Sequence, residues 1–533
     1  MHSTRAAGLG LALVLGLPVA AGLGFVFRSG IGNLAQLLDW PGLPRAAMLS
    51  LVPGLMATAI SLTLVLLILG LRPRAFAVLE RLLAPMLALP HAAAALGLAF
   101  LIAPSGWIAR FLSPWATGWT APPDWLTLND PCGMALTLGL VLKETPFLLL
   151  VALGLGTRTM ERRRMVAATL GYGRAMGFLL AVWPGIYPQL RLPVLAVLVY
   201  AMTTVDMGLI LGPGLPHPLA VQISLWMTEP SLAHQGLAAA GALAQLALVG
   251  LGLLIWRASE ALGHRLLQAG AQSGLRGHGL DGPLGLLAET VAVAFVLSGT
   301  LGLAGLALWS VAGPWPFPRG LPQSVSLTVW SRAAPDLITT SATSLALAGV
   351  ATLAALALTL VALQGEGQGR NRRIEGLVAL PLIVPQVVFL PGLATALLPL
   401  SVPPLLAVAL AHLVFVLPYV FLSLAGPFRA WDQRMGAVAT TLGAGPLRIL
   451  LRLRLPMLAG PLAAAAAIGV AVSIGLYLPT LLLGGGRVAT LTTEAVALAS
   501  GANRRIVGAY GLMQAVWPAL AFALARRAQT RLT

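Results

Sequence analysis

Apolar runs of about 20 residues recur along the whole chain, and no other feature limits its fold as strongly. The run GLAAAGALAQLALVGLGLLIW at 236–256 is one example. A run of this length spans a bilayer as an α-helix, because lipid offers no partner for backbone N–H and C=O groups and a helix pairs them internally. Strands of a membrane β-barrel alternate polar and apolar residues, which these runs do not. The runs therefore predict an all-α polytopic membrane protein.

The composition points to the same class. Of the 533 residues, 58% are hydrophobic and 9% are charged, whereas soluble domains carry about 25% charged residues. A net charge of +17 raises the alternative of nucleic-acid binding. That alternative is rejected, because the chain has a single lysine, Lys143, and its arginines stand in short clusters between apolar runs, as in cytoplasmic membrane loops. One cysteine, Cys132, permits neither an internal disulfide nor a cysteine-rich metal site.

Twelve membrane spans are predicted, six in each half of the chain. They lie near 7–27, 47–71, 82–104, 133–157, 189–212, 233–256, 285–313, 337–363, 375–400, 403–427, 460–484 and 508–525. With both termini in the cytoplasm, arginines on the cytoplasmic side outnumber those outside by roughly three to one, as the positive-inside rule requires. The first run also resembles a signal peptide, so whether it is retained stays open.

Two loops indicate that the chain is an internal duplication. VAATLGYGRAMGFLLAVWPGI begins at residue 166, and VATTLGAGPLRILLRLRLPML begins at residue 438, an offset of 272. An even number of spans per copy makes the two repeats parallel. The predicted units are a first repeat at 1–257 with its loop at about 158–188, a cytoplasmic linker at 258–284, and a second repeat at 285–533 with its loop at about 428–459.

Each loop is predicted to form a short helix, a turn and a second helix. Gly171 and Gly443 supply the turn, as glycine does at a helix C-terminus. Pro184 and Pro456 then start the return toward the membrane, because proline suits the first helical turn. Both loops are half apolar, which favours a protein partner. Packing against the chain's own helices is the alternative.

The spacing of thirteen residues from Gly to Pro, preceded by small residues, resembles the EAA loop of ABC importer permeases, written EAA-x3-G-x9-I-x-L-P. Two such loops in one chain resemble the fused permeases of iron(III) and thiamine importers. The stretches DMGLILGPG and TLTTEAVALASG resemble most closely the YnjC-type permeases. The Glu of the motif is Met165 in one copy and Ala437 in the other.

The resemblance implies a type I ABC importer permease fold in the bacterial inner membrane. It implies that the loops are coupling elements for two copies of an ATP-binding subunit, and that a periplasmic or lipid-anchored binding protein selects the substrate. Membrane lipid is the remaining expected partner. The docking residues carried over from the motif, together with two arginines of the second loop, are Ala167, Gly171, Pro184, Ala439, Gly443, Arg448, Arg452 and Pro456.

The chain is not expected to be an enzyme or to hold a cofactor. A phosphate-binding loop needs a lysine in G-x4-G-K-[ST], and Lys143 stands in LVLKETPF instead. Energy must therefore come from a partner or from an ion gradient. The second source keeps a secondary transporter of the six-plus-six major facilitator type as the alternative function. No clustered His, Asp or Glu at ligand spacing indicates a membrane-embedded enzyme or a metal site.

Charged residues inside membrane spans are costly, which makes them candidates for function. Asp206 is a candidate pathway residue that suits a cationic substrate, with Thr203 beside it and with Ser473 and Tyr477 in the matching span. The alternative for Asp206 is a structural bond to Thr203 or to another helix. Lys143 and Glu144 are adjacent on one helix, so each is expected to pair elsewhere.

Overall fold

The computed structural model describes residues 10–155, 157–274, 276–366, 371–501 and 503–530. The two chain termini, and with them the start of the predicted 7–27 span, lie outside the described residues. The helices of the first half are α1 (Ala12–Gly32), α2 (Leu34–Leu38), α3 (Leu43–Leu71), α4 (Phe76–Ala88), α5 (His91–Ile102), α6 (Trp107–Leu112), α7 (Met134–Gly154), α8 (Thr157–Thr169), α9 (Arg174–Thr203), α10 (Asp206–Leu211), α11 (Leu219–Thr228) and α12 (Leu232–Gln272).

The second half follows after a single 3₁₀ turn at His278–Leu280. Its helices are α13 (Asp281–Val311), α14 (Thr328–Gly365), α15 (Arg372–Ile383), α16 (Gln386–Leu397), α17 (Pro404–Arg429), α18 (Gln433–Thr441), α19 (Pro446–Met457), α20 (Ala459–Gly475), α21 (Leu478–Gly484), α22 (Leu491–Ala499) and α23 (Arg504–Thr530). The all-α polytopic fold predicted from the apolar runs is confirmed.

Ten helices in the described ranges are long and apolar enough to cross a membrane. The number reaches the predicted twelve if each of two bent helix pairs is counted as one span. These pairs are α15 with α16, bent by 93°, and α19 with α20, bent by 78°. The first bend lies inside the predicted span near 375–400, which is therefore not one continuous helix, and the second lies just before the predicted span near 460–484.

The predicted spans near 82–104 and 375–400 are each interrupted at a proline. The chain is extended at Leu89, with ψ 122°, before Pro90, and at Val384, with ψ 118°, before Pro385. A proline ring disfavours helical geometry in the residue before it, which ends one helix and lets the next begin. Each of these two predicted spans is therefore built from two helices.

The predicted spans near 189–212 and 460–484 end early, at Thr203 and at Gly475. Thr204 and Leu476, which follow at matched positions, are extended, and the chain then forms α10 and α21. Polar side chains stabilise both breaks. In the first half, the Gln245 amide donates to Met202 O at 3.1 Å. In the second half, the Thr492 hydroxyl donates to Ile474 O, the carbonyl at the matching position. Broken helices at membrane depth require such partners.

The predicted linker at 258–284 is α-helical over more than half its length. α12 continues unbroken to Gln272, because EALGHRLLQAGAQ contains many good helix formers. Only a short segment, 273–280, separates α12 from α13. The connection between the two halves is therefore compact.

The two halves repeat one another in detail from α7 onward. The first residues of α9, α10, α11 and α12 recur, at the offset of 272, as the first residues of α19, α21, α22 and α23. Both halves also cap one short helix in the same way. The Leu219 N–H at the start of α11 donates to Ser50 Oγ at 2.9 Å, and the Leu491 N–H at the start of α22 donates to Ser344 Oγ at 3.0 Å.

The first long helix of each half packs against the other half, α1 on α16 and α13 on α5. Both crossings are made by glycine. A Cβ added to Gly22 or to Gly392 would overlap a backbone carbonyl of the opposite helix, and a Cβ on Gly97 would lie 3.2 Å from the backbone of Gly302. Small residues permit such close helix crossings in membranes. The two halves therefore share one interlocked core.

Candidate docking loops and buried polar cluster

Each half carries a two-helix loop, formed by α8 and the start of α9 in the first half and by α18 and α19 in the second. The turn residues are Gly171, with φ 75°, and Gly443, with φ 80°. This left-handed conformation costs a residue with a Cβ roughly 1–2 kcal/mol. The prediction that both glycines close a helix in this conformation is confirmed.

The hydrogen bonds of the turn define a Schellman motif. In the first loop, the Tyr172 N–H donates to Ala167 O at 3.0 Å and the Gly171 N–H donates to Ala168 O at 2.9 Å. Both bonds recur in the second loop at the offset of 272 and with the same lengths. The loops are thus built alike although their side chains differ.

The prolines of the loops occupy a different place from the one predicted. The return helices begin at Arg174 and Pro446, well before Pro184 and Pro456. Each proline instead follows a wider, π-helical turn, Phe178–Val182 in the first loop and Leu450–Arg454 in the second. Proline has no N–H for the carbonyl four residues earlier, and a π-turn accommodates that missing bond.

The two loops differ in burial. In the first loop, Ala167 is buried, and a Cβ on Gly177 would lie 3.1 Å from its methyl group. The second loop is more open. Its apolar side chains are largely exposed, with Leu442 at 83%, Leu447 at 67% and Leu451 at 53%, and Ala439 is half-buried. An exposed apolar surface of this kind suits a protein partner.

Arginines add charge to the second loop. Arg448 and Arg452 are exposed and line a shallow cavity of about 420 Å³ together with Leu447 and Leu451. Arg454 has a structural role instead. Its guanidinium lies 3.5 Å from the ring centroid of Phe428 and donates to Phe428 O at 2.7 Å. Of the arginines on α19, Arg448 and Arg452 are therefore the exposed ones.

Asp206 lies at the break after α9 and is 8% exposed. The Thr204 hydroxyl donates to Asp206 Oδ1 at 3.0 Å, and the Tyr200 hydroxyl lies 3.3 Å from the Thr204 hydroxyl. The carboxylate also interacts electrostatically with Tyr200, Tyr477 and Lys143. We call Asp206, Thr204, Tyr200 and Tyr477 the polar cluster.

Of the four predicted pathway residues, Asp206 and Tyr477 interact electrostatically. Thr203 is not part of the polar cluster, because its hydroxyl donates to Val199 O of its own helix at 2.7 Å. Ser473 is bonded elsewhere, with its Oγ 2.8 Å from His412 Nδ1. Asp206 does accept a hydrogen bond within its own segment, but the donor is Thr204 rather than Thr203.

Lys143 and Glu144 pair with different elements, as predicted for neighbours on a helix. The Lys143 ammonium donates to Met86 O and Leu87 O at 3.1 Å, and to the carbonyl of Leu89. It thus satisfies the free carbonyls at the end of α4. Glu144 Oε1 lies 3.5 Å from His91 Nε2. The His91 ring in turn contacts the ring of Tyr200, so Glu144 is connected to the polar cluster through His91.

His412 was missed from the sequence. Its Nδ1 lies 2.8 Å from Ser473 Oγ and its Nε2 lies 2.9 Å from Thr480 Oγ1, so it joins α20 and α21 across their break. A scan for histidine inside predicted spans, beside Asp, Glu and Lys, would have found it. Within the described ranges, no three His, Cys, Asp or Glu side chains lie close enough to form a metal site.

Two matched halves of membrane helices, with a matched loop in each and a buried polar cluster where the halves meet, define a membrane transport permease. No family model matches the chain. The chain is 32% identical over 492 residues, covering 91% of its own length and 88% of the relative, to the inner membrane ABC transporter permease protein YnjC of Escherichia coli strain K12. The chain therefore belongs to the YnjC-type ABC transporter permeases.

This membership confirms the predicted class of function, a permease of an ABC transporter, and a multi-pass location in the inner membrane. The alternative of a secondary transporter of the major facilitator type is set aside, because the relative is an ABC permease. The cytoplasmic position of the termini stays a prediction.

Proposed function

We propose that the chain forms the substrate pathway of an ABC importer across the membrane, with its two repeats at 1–257 and 285–533. Each repeat docks one copy of an ATP-binding subunit through its loop. A separate binding protein outside the inner membrane delivers the substrate.

One observation carries this proposal. The two Schellman turns at Gly171 and Gly443 have the same hydrogen bonds at the same offset, and many of the exposed side chains around them are apolar or basic. A duplicated rigid shape with an exposed apolar surface is what two identical partner subunits require. Loops that served only to pack against the chain's own helices would have no need of exposed leucines.

We further propose that the chain has no ATPase site of its own. The single lysine lies within α7 and binds three backbone carbonyls, so it is not available to a nucleotide phosphate. The energy for transport then enters only through the two loops.

Charge reversal in the second loop tests the docking proposal. The variant Arg448→Glu with Arg452→Glu keeps the apolar surface but opposes the partner's charge, which lowers the amount of bound subunit by about half if the first loop stays occupied. The measurement is the amount of ATP-binding subunit, co-expressed from a neighbouring reading frame, that the tagged permease retains at low and at high salt. The difference between the variant and the parent protein should be largest at low salt and should shrink at high salt, because salt screens exposed charge interactions.

A matched control is Arg372→Glu with Arg373→Glu, two exposed arginines at the start of α15 that lie outside both loops. We expect the control to retain the subunit as the parent protein does. Unchanged retention by the loop variant at low salt would remove the proposed role of Arg448 and Arg452. A permease that hydrolyses ATP without any co-purified subunit would overturn the proposal as a whole.

We also propose that the polar cluster forms part of the substrate pathway and that the substrate is cationic. Asp206 is a buried carboxylate that interacts electrostatically with Tyr200 and Tyr477. Asp206 is the first residue of α10, and α10 packs against α22 of the second repeat. A carboxylate and aromatic rings at the meeting of two halves suit a cation.

Asp206→Asn tests this proposal because it keeps the shape and removes the charge. We expect cation-stimulated ATP hydrolysis by the reconstituted complex to need more than about tenfold more cation, since losing a desolvated charge partner costs about 2 kcal/mol or more. The probes are spermidine, thiamine and Fe³⁺, with sulfate and glutamate as anionic comparisons. Thr203→Val is the control, because Thr203 bonds only its own helix backbone. An identical response of the Asn variant to the stimulating probe would contradict the assignment.

A further inference from the structure

The segment that joins the two halves lies against the first loop. The Gly173 N–H donates to Arg276 O at 2.8 Å, and His278 Nε2 lies 2.8 Å from Gly171 O. The Arg276 guanidinium also lies 4.3 Å from the ring centroid of Tyr172. These contacts hold the Schellman turn of the first loop from two sides. We call residues 276–281 the brace.

Asp281 completes the brace. It is the first residue of α13, and its carboxylate accepts the N–H of Arg174 at 2.7 Å and the N–H of Ala175 at 3.0 Å. These N–H groups begin α9 and have no partner within their own helix. A carboxylate at this position satisfies them and also opposes the positive end of the helix dipole. The second half of the chain thus caps the first loop.

The second loop has one N–H group fewer to satisfy at the same place. Pro446 stands where the first loop has Arg174, and proline has no N–H that requires an acceptor at the first helical position. A Cβ on Gly443 or on Gly445 would meet nothing within 4 Å. The second turn is therefore formed by one continuous segment, whereas the first is held by contacts with a segment that follows it by more than 100 residues.

We infer that the brace is a structural part of the first docking site and positions the first loop for its ATP-binding subunit, while the second loop is self-sufficient. The inference rests on the docking role proposed above for the loops. The brace also offers surface of its own, since Leu280 is half exposed. Two identical subunits are thus bound by two docking sites that differ in how they are held.

Hydrogen exchange of the permease alone tests the brace without any partner. In Asp281→Ala, we expect the amides of residues 173–175 to exchange about threefold to thirtyfold faster, the range for loss of a helix cap. Amides of residues 443–449 should not change. The matched control is Glu289→Ala on the same helix, because Glu289 caps a different helix through the Arg74 N–H at 2.6 Å and the Ala75 N–H at 3.1 Å. Unchanged exchange at 173–175 in Asp281→Ala would overturn the inference.

Cross-linking in the complex then tests positioning. Met165→Cys and Ala437→Cys place a cysteine at matched, exposed sites of the two loops, in a background where Cys132 is replaced by serine. Adding Asp281→Ala should reduce cross-linking of residue 165 to the ATP-binding subunit several-fold and leave residue 437 unaffected. Equal losses at both sites, or none at either, would overturn the positioning role. If neither loop of the parent protein cross-links while exchange at 173–175 still accelerates, the docking proposal fails and the brace stands as an internal contact.

Discussion

Gly443→Val is expected to uncouple the second loop from its ATP-binding subunit while leaving the membrane helices in place. Gly443 has φ 80° and open space around it, so the cost of valine comes from the backbone alone. That cost is about 1–2 kcal/mol for any Cβ and more for a β-branched residue. The turn must rotate or fray, and we expect about a tenfold loss of the loop's docked conformation.

The measurement compares membrane level, retained ATP-binding subunit and ATP hydrolysis of the complex. Gly171→Val should have the same effect in the first loop, and the double variant should lose nearly all coupled hydrolysis. Gly443→Asn is the control, because asparagine tolerates the left-handed conformation. If both valine variants reach the parent's level and its full coupled activity, the glycines are ordinary turn residues and the loops do not couple.

Gly22→Leu is expected to prevent the two halves from interlocking. Gly22 meets the backbone of Phe389 on α16 so closely that even a Cβ would overlap the carbonyl. The backbone of Phe389 cannot move aside as a side chain does. The substitution should therefore lower the free energy of unfolding by about 3 kcal/mol or more, the upper end of the range for overpacked cores. We expect the yield of monodisperse, folded protein in detergent to fall more than about tenfold.

The control for this variant lies on the same helix. A Cβ on Gly24 would meet nothing within 4 Å, so Gly24→Leu adds the same side chain to α1 without an overlap. We expect it to elute and unfold like the parent protein. Gly22→Leu that is equally stable and monodisperse would show that the α1–α16 crossing is not required for assembly.

Apolar runs, glycines and prolines explain which helices and helix ends could be predicted from the sequence. Uninterrupted apolar runs predict helices because lipid leaves the backbone no other partner. The positions of Gly171 and Gly443 predict a left-handed backbone at the helix end, because glycine is the residue that most readily adopts it. The breaks before Pro90 and Pro385 could also have been predicted, since proline disfavours helical geometry in the residue before it. A hydropathy profile alone shows each of these stretches as one continuous apolar segment.

Other features depend on residues far apart in the chain. The break at Thr204 carries no proline, and it is stabilised by Gln245, which lies on another helix. The contact of Asp281 with the first loop joins positions 107 residues apart. Periodicity reports only on neighbours within one element, so the polar cluster and the brace appear only once the helices are packed.

The most direct test of the account is the mass of the complex that the permease forms with its ATP-binding subunit in lipid nanodiscs. Two matched docking loops in one chain predict one permease with two ATP-binding subunits, and ATP hydrolysis that requires both. The loop variants with valine at Gly171 or at Gly443 should each yield complexes with one subunit. A permease that binds a single subunit through both loops, or that binds none and moves solute on a proton gradient without nucleotide, would contradict the account.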